Sequence, residues 1–423
     1  MNDAPEVLVI GAGVAGMEAS LLLSKAGAKV HLVERTSYTG GTSVLFEQVY
    51  PDLECATCML SPRQQDLLQD PNIEALTLSL VEGVREEGKG FIVTVKKKAR
   101  FVDPSACIGC GACYDPCPVS APNEAEQGLS QRKAIHVPFT GALPNVPSID
   151  RELCIRFHGK ECQACKEACA FEAINFEQQE ESVEIRVDSI LVATGSQIMD
   201  LRPLARYGLD SVPEVYHALQ LERLFAQNGP SSGNIVMRDG KTPRSVALIH
   251  CAGRAEKGYC SGVCCMYLLK FNQYFRAKSP DVELHELYID MTIPGQDAER
   301  FYQKMIAGGT DMIRTNDARV ENRSGRPCVL YTDASGQKRE LTVDMVILAP
   351  ALEPHGSTAA LAKTLGIEIG ERGYVKVDEG LRSSRPGIYV VGGAAGPKDV
   401  AESVAEAHAA VAEMLSGHRE AER

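Results

Sequence analysis

Two runs of cysteine constrain this chain more than any other feature: Cys107-x2-Cys110-x2-Cys113-x3-Cys117-Pro118 and Cys154-x7-Cys162-x2-Cys165-x3-Cys169. Thiolates repeated at two- and three-residue gaps on a short loop can wrap a four-iron cubane, and the fourth thiolate of each run reaches the neighbouring cluster. The second run is stretched in its first gap. Zinc ribbons also use two-residue gaps, but they join two distant Cys-x2-Cys knuckles, whereas here three or four cysteines follow one another. Spacing therefore favours iron–sulfur over zinc in both runs, more strongly in the first. Disulfides account poorly for the fifteen cysteines of a 423-residue chain, because a chain of this size needs no covalent staples and reducing compartments keep thiols free.

The cysteine runs interrupt a nucleotide-binding pattern. Val7-Leu8-Val9-Ile10 reads as a buried strand, followed by Gly11-Ala12-Gly13-Val14-Ala15-Gly16, a helical stretch from Met17 to Ala26, and a second strand from Val30 to Val33 closed by Glu34. Strand, glycine turn, helix, strand and terminal acid make up the dinucleotide fingerprint in its required context. Gly11 permits the tight turn, Gly13 lets backbone amides approach a pyrophosphate, and Gly16 lets the helix pack on the sheet. Glu34 is placed to accept from adenosine ribose hydroxyls. Gly40-Gly41, Ala193-Thr194-Gly195 and Gly392-Gly393 end further segments in small-residue turns suited to close approach of a cofactor.

Together these segments resemble flavoproteins of the thioredoxin-reductase and glutathione-reductase type, and the first cysteine run resembles a bacterial ferredoxin. The expected fold is α/β: a two-dinucleotide-binding-domain flavoprotein with an inserted α+β two-cluster ferredoxin domain. The resemblance implies FAD-binding parts at 1–99, 179–230 and 376–423, the last with a polar tail from His418. The insertion is expected at 100–178 and a second nucleotide-type domain at 231–375, with the Asn228–Gly233 stretch as a flexible boundary. These flavoproteins usually carry Asp where Gly393 stands, so contact with the ribityl-phosphate region passes to backbone amides from Gly393 to Gly396 or to the helix start near Asp399.

In the second domain the strand Ser245–His250 should lead into another glycine fingerprint. Instead the chain reads Cys251-Ala252-Gly253-Arg254, then Cys260, Cys264 and Cys265. The glycine amides that a pyrophosphate needs are not there. From the residues alone three readings stay open: a third cluster, a redox-active dithiol, or small buried core residues. Cys55-x2-Cys58 is equally open between core packing, a dithiol and ligation shared with another subunit. Cys328 reads as core, and His136, His158 and His250 as structural.

The formal charge of −12 argues against nucleic acid and anionic membranes as partners. No apolar run approaches the roughly 20 residues of a membrane span. Met1 to Pro5 lack the basic and apolar regions of a secretory signal, so a cytoplasmic location is expected.

Five segments in order are similar to the heterodisulfide reductase A subunits: Tyr50-Pro51-Asp52-Leu53-Glu54-Cys55-Ala56-Thr57-Cys58, the Cys107 run, Arg132-Lys133-Ala134-Ile135-His136-Val137-Pro138, the Cys251 to Cys265 set, and Gly396-Pro397-Lys398-Asp399. The resemblance implies FAD, two [4Fe-4S] clusters in the insertion, and a third on Cys251, Cys260, Cys264 and Cys265. It also implies that Lys270 lies near the flavin; without it, Lys270 reads as a solvated helix-surface charge. Longer members carry further cluster domains at both ends, so a core version is expected, passing electrons to partner subunits. Those partners would be B- and C-like iron–sulfur subunits, a small electron-input subunit or ferredoxin, around a homodimer. The expected function is a flavin electron-transfer hub, with bifurcation if the two electrons leave at very different potentials. The rival is a self-contained NAD(P)H-dependent flavin disulfide oxidoreductase carrying clusters, against which the replaced second fingerprint argues.

Overall fold

The computed structural model describes residues 4–421, with side chains described to Gly417. The reading of the first residues as lacking a signal therefore falls partly, at Met1 to Asp3, outside the described residues. The chain divides into two units: residues 1–44, 57–196 and 354–423 form the first, and residues 45–56 and 197–353 the second.

The first unit is built on a five-stranded parallel sheet in the order Ile388–Val390, Ser189–Val192, Glu6–Ile10, Lys29–Val33, Ile73–Leu76. Its inner strands Ser189–Val192 and Glu6–Ile10 are apolar after their first residue because both faces are covered. Successive side chains of the first strand point to opposite faces. Val7 and Val9 pack with helix residues such as Leu21, Ala407 and Val411. Leu8 and Ile10 pack with Val93, Val95 and Val390. The second layer is a three-stranded antiparallel sheet of Glu181–Val187, Gly90–Lys97 and Ser79–Glu87. Glu181 pairs directly with Lys97, so the cysteine-rich insertion grows out of what would otherwise be a hairpin tip.

The insertion has little regular structure. Its core is Phe101, Val102, Ile135, Ile149, Ile174 and Phe176, together with buried Cys113, Cys117, Cys154 and Cys165. It is hydrogen-bonded to the rest of the first unit: Thr39 N donates to Leu143 O at 2.8 Å. The buried Arg100 guanidinium reaches Val146 O at 2.8 Å and Thr77 Oγ1 at 2.7 Å.

The second unit repeats this plan. Five parallel strands run in the order Val215–His217, Met345–Pro350, Ser245–Ala252, Glu283–Tyr288, Asp311–Arg314, beside an antiparallel sheet of Arg319–Arg323, Arg326–Thr332 and Lys338–Thr342.

The domain limits differ from those expected. Residues 197–230 belong to the second unit because Val215–His217 is an edge strand of its sheet, pairing with Met345–Pro350. Residues 354–375 belong to the first, where Leu365, Ile367 and Val375 join the core. The Asn228–Gly233 stretch is no boundary. Ser231 Oγ donates to Leu224 O at 2.6 Å, and a Cβ on Gly229 would collide with the Arg223 carbonyl oxygen. Those glycines serve close packing instead of flexibility. At the C-terminus, Val400–Ala421 is one helix, so the residues from His418 to Ala421 continue it, and the remainder of the expected tail lies outside the described residues.

Candidate functional site

The nucleotide turn forms where Glu6–Ile10 hands over to the helix Val14–Lys25. Gly11 takes φ +105°, and a Cβ there would lie 2.5 Å from Ala193 O; a Cβ on Gly16 would strike Gly11 O. Gly13 and Gly41 face each other, with a Cβ on Gly41 only 2.9 Å from the Gly13 Cα. The helix carries no acidic residue in its first turn, which suits its free N-terminal amides to an anionic pyrophosphate. Glu34 is buried and receives Ala12 N, Thr36 N and Thr36 Oγ1, each at 2.8 Å. Its carboxylate thus braces the glycine turn and keeps lone pairs for a further donor. Thr194 Oγ1 is buried with no hydrogen-bond partner, and a Cβ on neighbouring Gly195 would meet nothing within 4 Å. An orphaned hydroxyl beside open space is what a strand end shaped around a cofactor would show, and the residues present fit FAD. A Cβ on Gly393 would lie 2.7 Å from Ser196 N, so glycine there allows two strand-end turns to meet. Asp399 is engaged in a reciprocal cap with Glu402, accepting from Glu402 N at 2.7 Å while its own amide donates to Glu402 Oε2 at 2.9 Å.

The two cysteine runs surround two cavities in the insertion. One is lined by Cys154, Cys162 and Cys165 with Cys117; the other by Cys107, Cys110 and Cys113 with Cys169. Each cavity takes three thiols from one run and the fourth from the other. Burial pushes Cys113 up to about 12 and Cys165 up to about 11, so thiolates there need a bound cation to exist. No three His, Cys, Asp or Glu side chains among the described residues close on a single-ion position. Zinc would need its sulfurs about 3.8 Å apart, given Zn–S bonds of ~2.3 Å in a tetrahedron. The donor sets fit two [4Fe-4S] clusters.

In the second unit Cys251, Cys264 and Cys265 are buried, while Cys260 is exposed. Cys251 sits at φ +57° where the register of Ser245–Ala252 against Met345–Pro350 shifts between Ile249 and Ala252. A bulge of this kind re-aims a side chain, and a non-glycine residue at positive φ stores strain typical of functional positions. Cys264 and Cys265 open the helix Cys264–Lys278. The Cys264 thiol interacts with both Cys251 and Cys265. Cys264 and then Arg254 hold Cys251 down to about 6, Cys264 and then His250 hold Cys265 down to about 4, and Cys264 is correspondingly raised. Gly262 N donates to Cys260 Sγ at 3.4 Å, the same Cys-x-Gly geometry as Gly109 N on Cys107 Sγ at 3.4 Å. Three converging thiols and a fourth on a glycine loop fit a third cluster.

Lys270 is no solvated surface charge. Its side chain is 3% exposed, pairs with the Glu222 carboxylate (4% exposed) and donates to Gln48 O at 2.9 Å. Phe46, Phe271 and Tyr274 surround the ammonium at 5.2 to 5.4 Å. Burial raises the Glu222 carboxyl above its ordinary value, with Lys270 pulling it down. Sequence reasoning does not single out Glu222, and no local signal could, because the partners stand 48 positions apart. His250, structural by its sequence context, is fully buried with Nε2 2.6 Å from Glu286 Oε2 and its ring edge-on to Tyr288. Burial lowers its pKa, but hydrogen bonds to Cys265 and Glu286 outweigh this and raise it to about 9. Cys55 lies on the short strand Glu54–Cys55 and Cys58 in the helix Ala56–Gln69. Cys328 is buried.

Three family descriptions match parts of the chain: FAD binding domain over residues 6–46, 4Fe-4S binding domain over 100–123, and pyridine nucleotide-disulphide oxidoreductase over 289–413. Among solved structures, thioredoxin reductases from T. acidophilum and Lactococcus lactis align with TM-scores of 0.54 and 0.53 at 14% identity. They cover 98% and 97% of this chain and 99% and 98% of their own. The fold and its cysteine lobe thus define a two-dinucleotide-domain flavoprotein with an inserted ferredoxin-type domain. Among curated proteins, the A subunit of the H(2):CoB-CoM heterodisulfide,ferredoxin reductase of Methanothermobacter marburgensis is 35% identical over 99% of this chain and 65% of its own length. A protein of Archaeoglobus profundus that resembles the heterodisulfide reductase A subunits is 34% identical over 97% and 66%. The chain is similar over nearly its whole length to these iron–sulfur flavoproteins, the heterodisulfide reductase A subunits and their relatives, and spans 65% of the length of the first of them.

Proposed function

We propose that the chain is the FAD- and iron–sulfur-carrying hub of a multi-subunit oxidoreductase of the heterodisulfide reductase type. The observation that carries this reading is the exchange of fourth thiols between the two cysteine cavities, in a lobe hydrogen-bonded to the unit that holds the flavin cradle. FAD, when bound, handles electrons in pairs, whereas clusters pass them singly. Gly11, Gly13, Gly16, Gly40 and Gly41 give the pyrophosphate access to the helix amides. Glu34 fixes the turn. Ala193, Thr194, Gly195, Gly392 and Gly393 keep the strand ends clear, with the Thr194 hydroxyl free to donate.

Cys107, Cys110, Cys113 and Cys169 hold one cluster, and Cys117, Cys154, Cys162 and Cys165 the second. Cys251, Cys260, Cys264 and Cys265 hold a third where a nicotinamide fingerprint would otherwise stand. The resemblance implies that Lys270 lies near the flavin, where a cation sealed from water by Phe46, Phe271 and Tyr274 stabilises negative charge more than an exposed one does. With clusters on separate routes, an electron pair can be divided between acceptors of different potential, which is bifurcation. The partners are cluster-bearing B- and C-like subunits, a small electron-input subunit or ferredoxin, around a homodimer in the cytoplasm. The name of the Methanosarcina acetivorans relative, which describes a ferredoxin/F(420)H(2)-dependent reductase, supports ferredoxin as donor.

The test is anaerobic reduction of the isolated, cofactor-loaded chain. Reduced low-potential ferredoxin is expected to bleach the flavin spectrum, and NADH or NADPH to leave it unchanged. Rapid bleaching by nicotinamide alone would overturn the reading in favour of a self-contained NAD(P)H oxidoreductase.

A further inference from the structure

We infer that Ile108 and Phe171, on the cavity of the Cys107 run, form the docking surface for a redox partner: a protein whose one-electron centre lies at an apolar edge ringed by Lys and Arg. The inference rests on the reading that the lobe holds two clusters and serves a partner subunit.

Single large apolar side chains are common on protein surfaces, and only their grouping carries meaning. Among the described residues the exposed large hydrophobics are Met59, Leu80, Ile108, Phe171 and Ile306. Two of them, Ile108 and Phe171, line one cavity together with Cys107, Cys110, Cys113 and Cys169. They are also the most exposed of the group, at 63% and 47%, and Cys110 of the same cavity is exposed as well. The companion cavity is more enclosed: Ala134, Ile135, Ile149 and Phe176 of its lining are all buried. A cluster held by the Cys107 run is therefore the outer of the two. Its apolar face is firmly presented. Asn145 Nδ2 reaches Gly109 O at 3.5 Å, and a Cβ on Gly109 would collide with Asn145. Beside Phe171, Glu172 N donates to Cys169 O at 3.2 Å and Asp103 N to Ala173 O at 2.8 Å. Anchors on fixed backbone lose little freedom when a partner docks.

The charges beside this face decide what kind of partner fits. Asp103, Asp115 and Glu172 are exposed, and no Lys or Arg occurs in 101–118 or 170–176. The segment of the Cys154 run, by contrast, carries Arg151, Arg156, Lys160 and Lys166. An apolar centre flanked by carboxylates steers a basic ring into register and repels an acidic one. Asp103 is tied to Ser105, accepting from its amide at 2.8 Å and its hydroxyl at 2.7 Å, which leaves Asp115 and Glu172 as the charges open to substitution. Redox encounters use small contact areas, and two apolar anchors beside a cluster suit such a complex. The step moves one electron between the cluster and the partner's centre, one being oxidised as the other is reduced. No bond forms or breaks, and no proton moves.

The experiment takes the cofactor-loaded chain, reduced anaerobically and freed of reductant, and mixes it in stopped flow with ferric cytochrome c, a basic protein with an apolar haem edge. Haem reduction is expected to slow about tenfold in Ile108→Ser with Phe171→Ser, with the EPR spectra and midpoint potentials of the lobe clusters unchanged. Ile306→Ser, at an exposed apolar residue of the other unit, is expected to match wild type. Added salt is expected to slow the wild-type reaction and to slow Asp115→Lys with Glu172→Lys far less. An unchanged rate in the serine variant, with both lobe clusters intact, overturns the assignment of the face. If the serine variant loses a cluster, the lysine variant decides, and a rate and salt dependence equal to wild type overturn the proposal. Failure of the underlying reading looks different: reduced-cluster signals that survive both Cys110→Ala and Cys154→Ala would show that the lobe holds no clusters.

Discussion

At the scale of single residues, the pair Lys270–Glu222 shows how a charge that looks ordinary in sequence becomes costly in place. Both side chains are almost fully buried, and breaking a buried pair by removing one partner leaves an uncompensated charge, at a cost of about 3–5 kcal/mol. Lys270→Ala is expected to lose stability of that order in denaturant unfolding, whereas Lys270→Met with Glu222→Leu should lose much less. The pH dependence follows from Glu222. Its folded-state carboxyl is held above the ordinary value of 4.5 by burial, so the folded state binds the proton more tightly than the unfolded state does. Stability then falls as pH rises above 4.5, and Lys270→Ala should steepen that fall because the opposing ammonium is gone. Equal slopes for wild type and variant would show that Lys270 does not compensate Glu222. If Lys270 also acts on the flavin, the alanine variant will shift the flavin potentials in a redox titration; unchanged potentials would confine it to a structural role.

Among elements, the insertion is the most informative. The crossing of fourth thiols predicts an asymmetric defect: Cys169→Ala should damage the cluster of the Cys107 run, not that of its own run. The check is EPR of the reduced protein, in which the signal lost should be the one also lost in Cys110→Ala. Because Glu181 and Lys97 are direct antiparallel neighbours, replacing residues 98–180 by an Asn-Gly turn should restore a plain hairpin. That protein is expected to fold, retain yellow FAD and carry about 4 iron atoms in place of about 12. A colourless or aggregated product would mean that the contacts of the lobe's Arg100 and Leu143 with Thr77 and Thr39 are needed by the flavin-binding unit.

For the whole molecule, the chain contains the same layered plan twice, a five-stranded parallel sheet beside a three-stranded antiparallel one, with cysteines at the strand end that in the first unit carries the glycine turn. Among the described residues no helix is long and apolar enough to cross a membrane. Much of this was legible in the residues. The Gly11 to Glu34 fingerprint works through backbone approach within one short βα unit, and the ferredoxin-type spacing works through a single loop, so local order alone carries them. The discontinuous flavin-binding part was legible for the same reason: short apolar runs ending in small residues mark each strand. The limits near 197 and 354 were not, because strand membership depends on which distant segment supplies the hydrogen bonds, as Met345–Pro350 does for Val215–His217. The flexible look of Gly229-Pro230-Ser231-Ser232-Gly233 also misleads, since glycine marks close packing as readily as freedom. Sequence by itself thus determined the cofactor classes, through spacings of a few residues that local covalent geometry enforces. Only the tertiary structure decided which charges are paired and which thiols meet: Lys270 with Glu222, His250 with Glu286, Cys117 with the opposite run. Those choices depend on burial, where an unpaired polar group is penalised far more than at the surface.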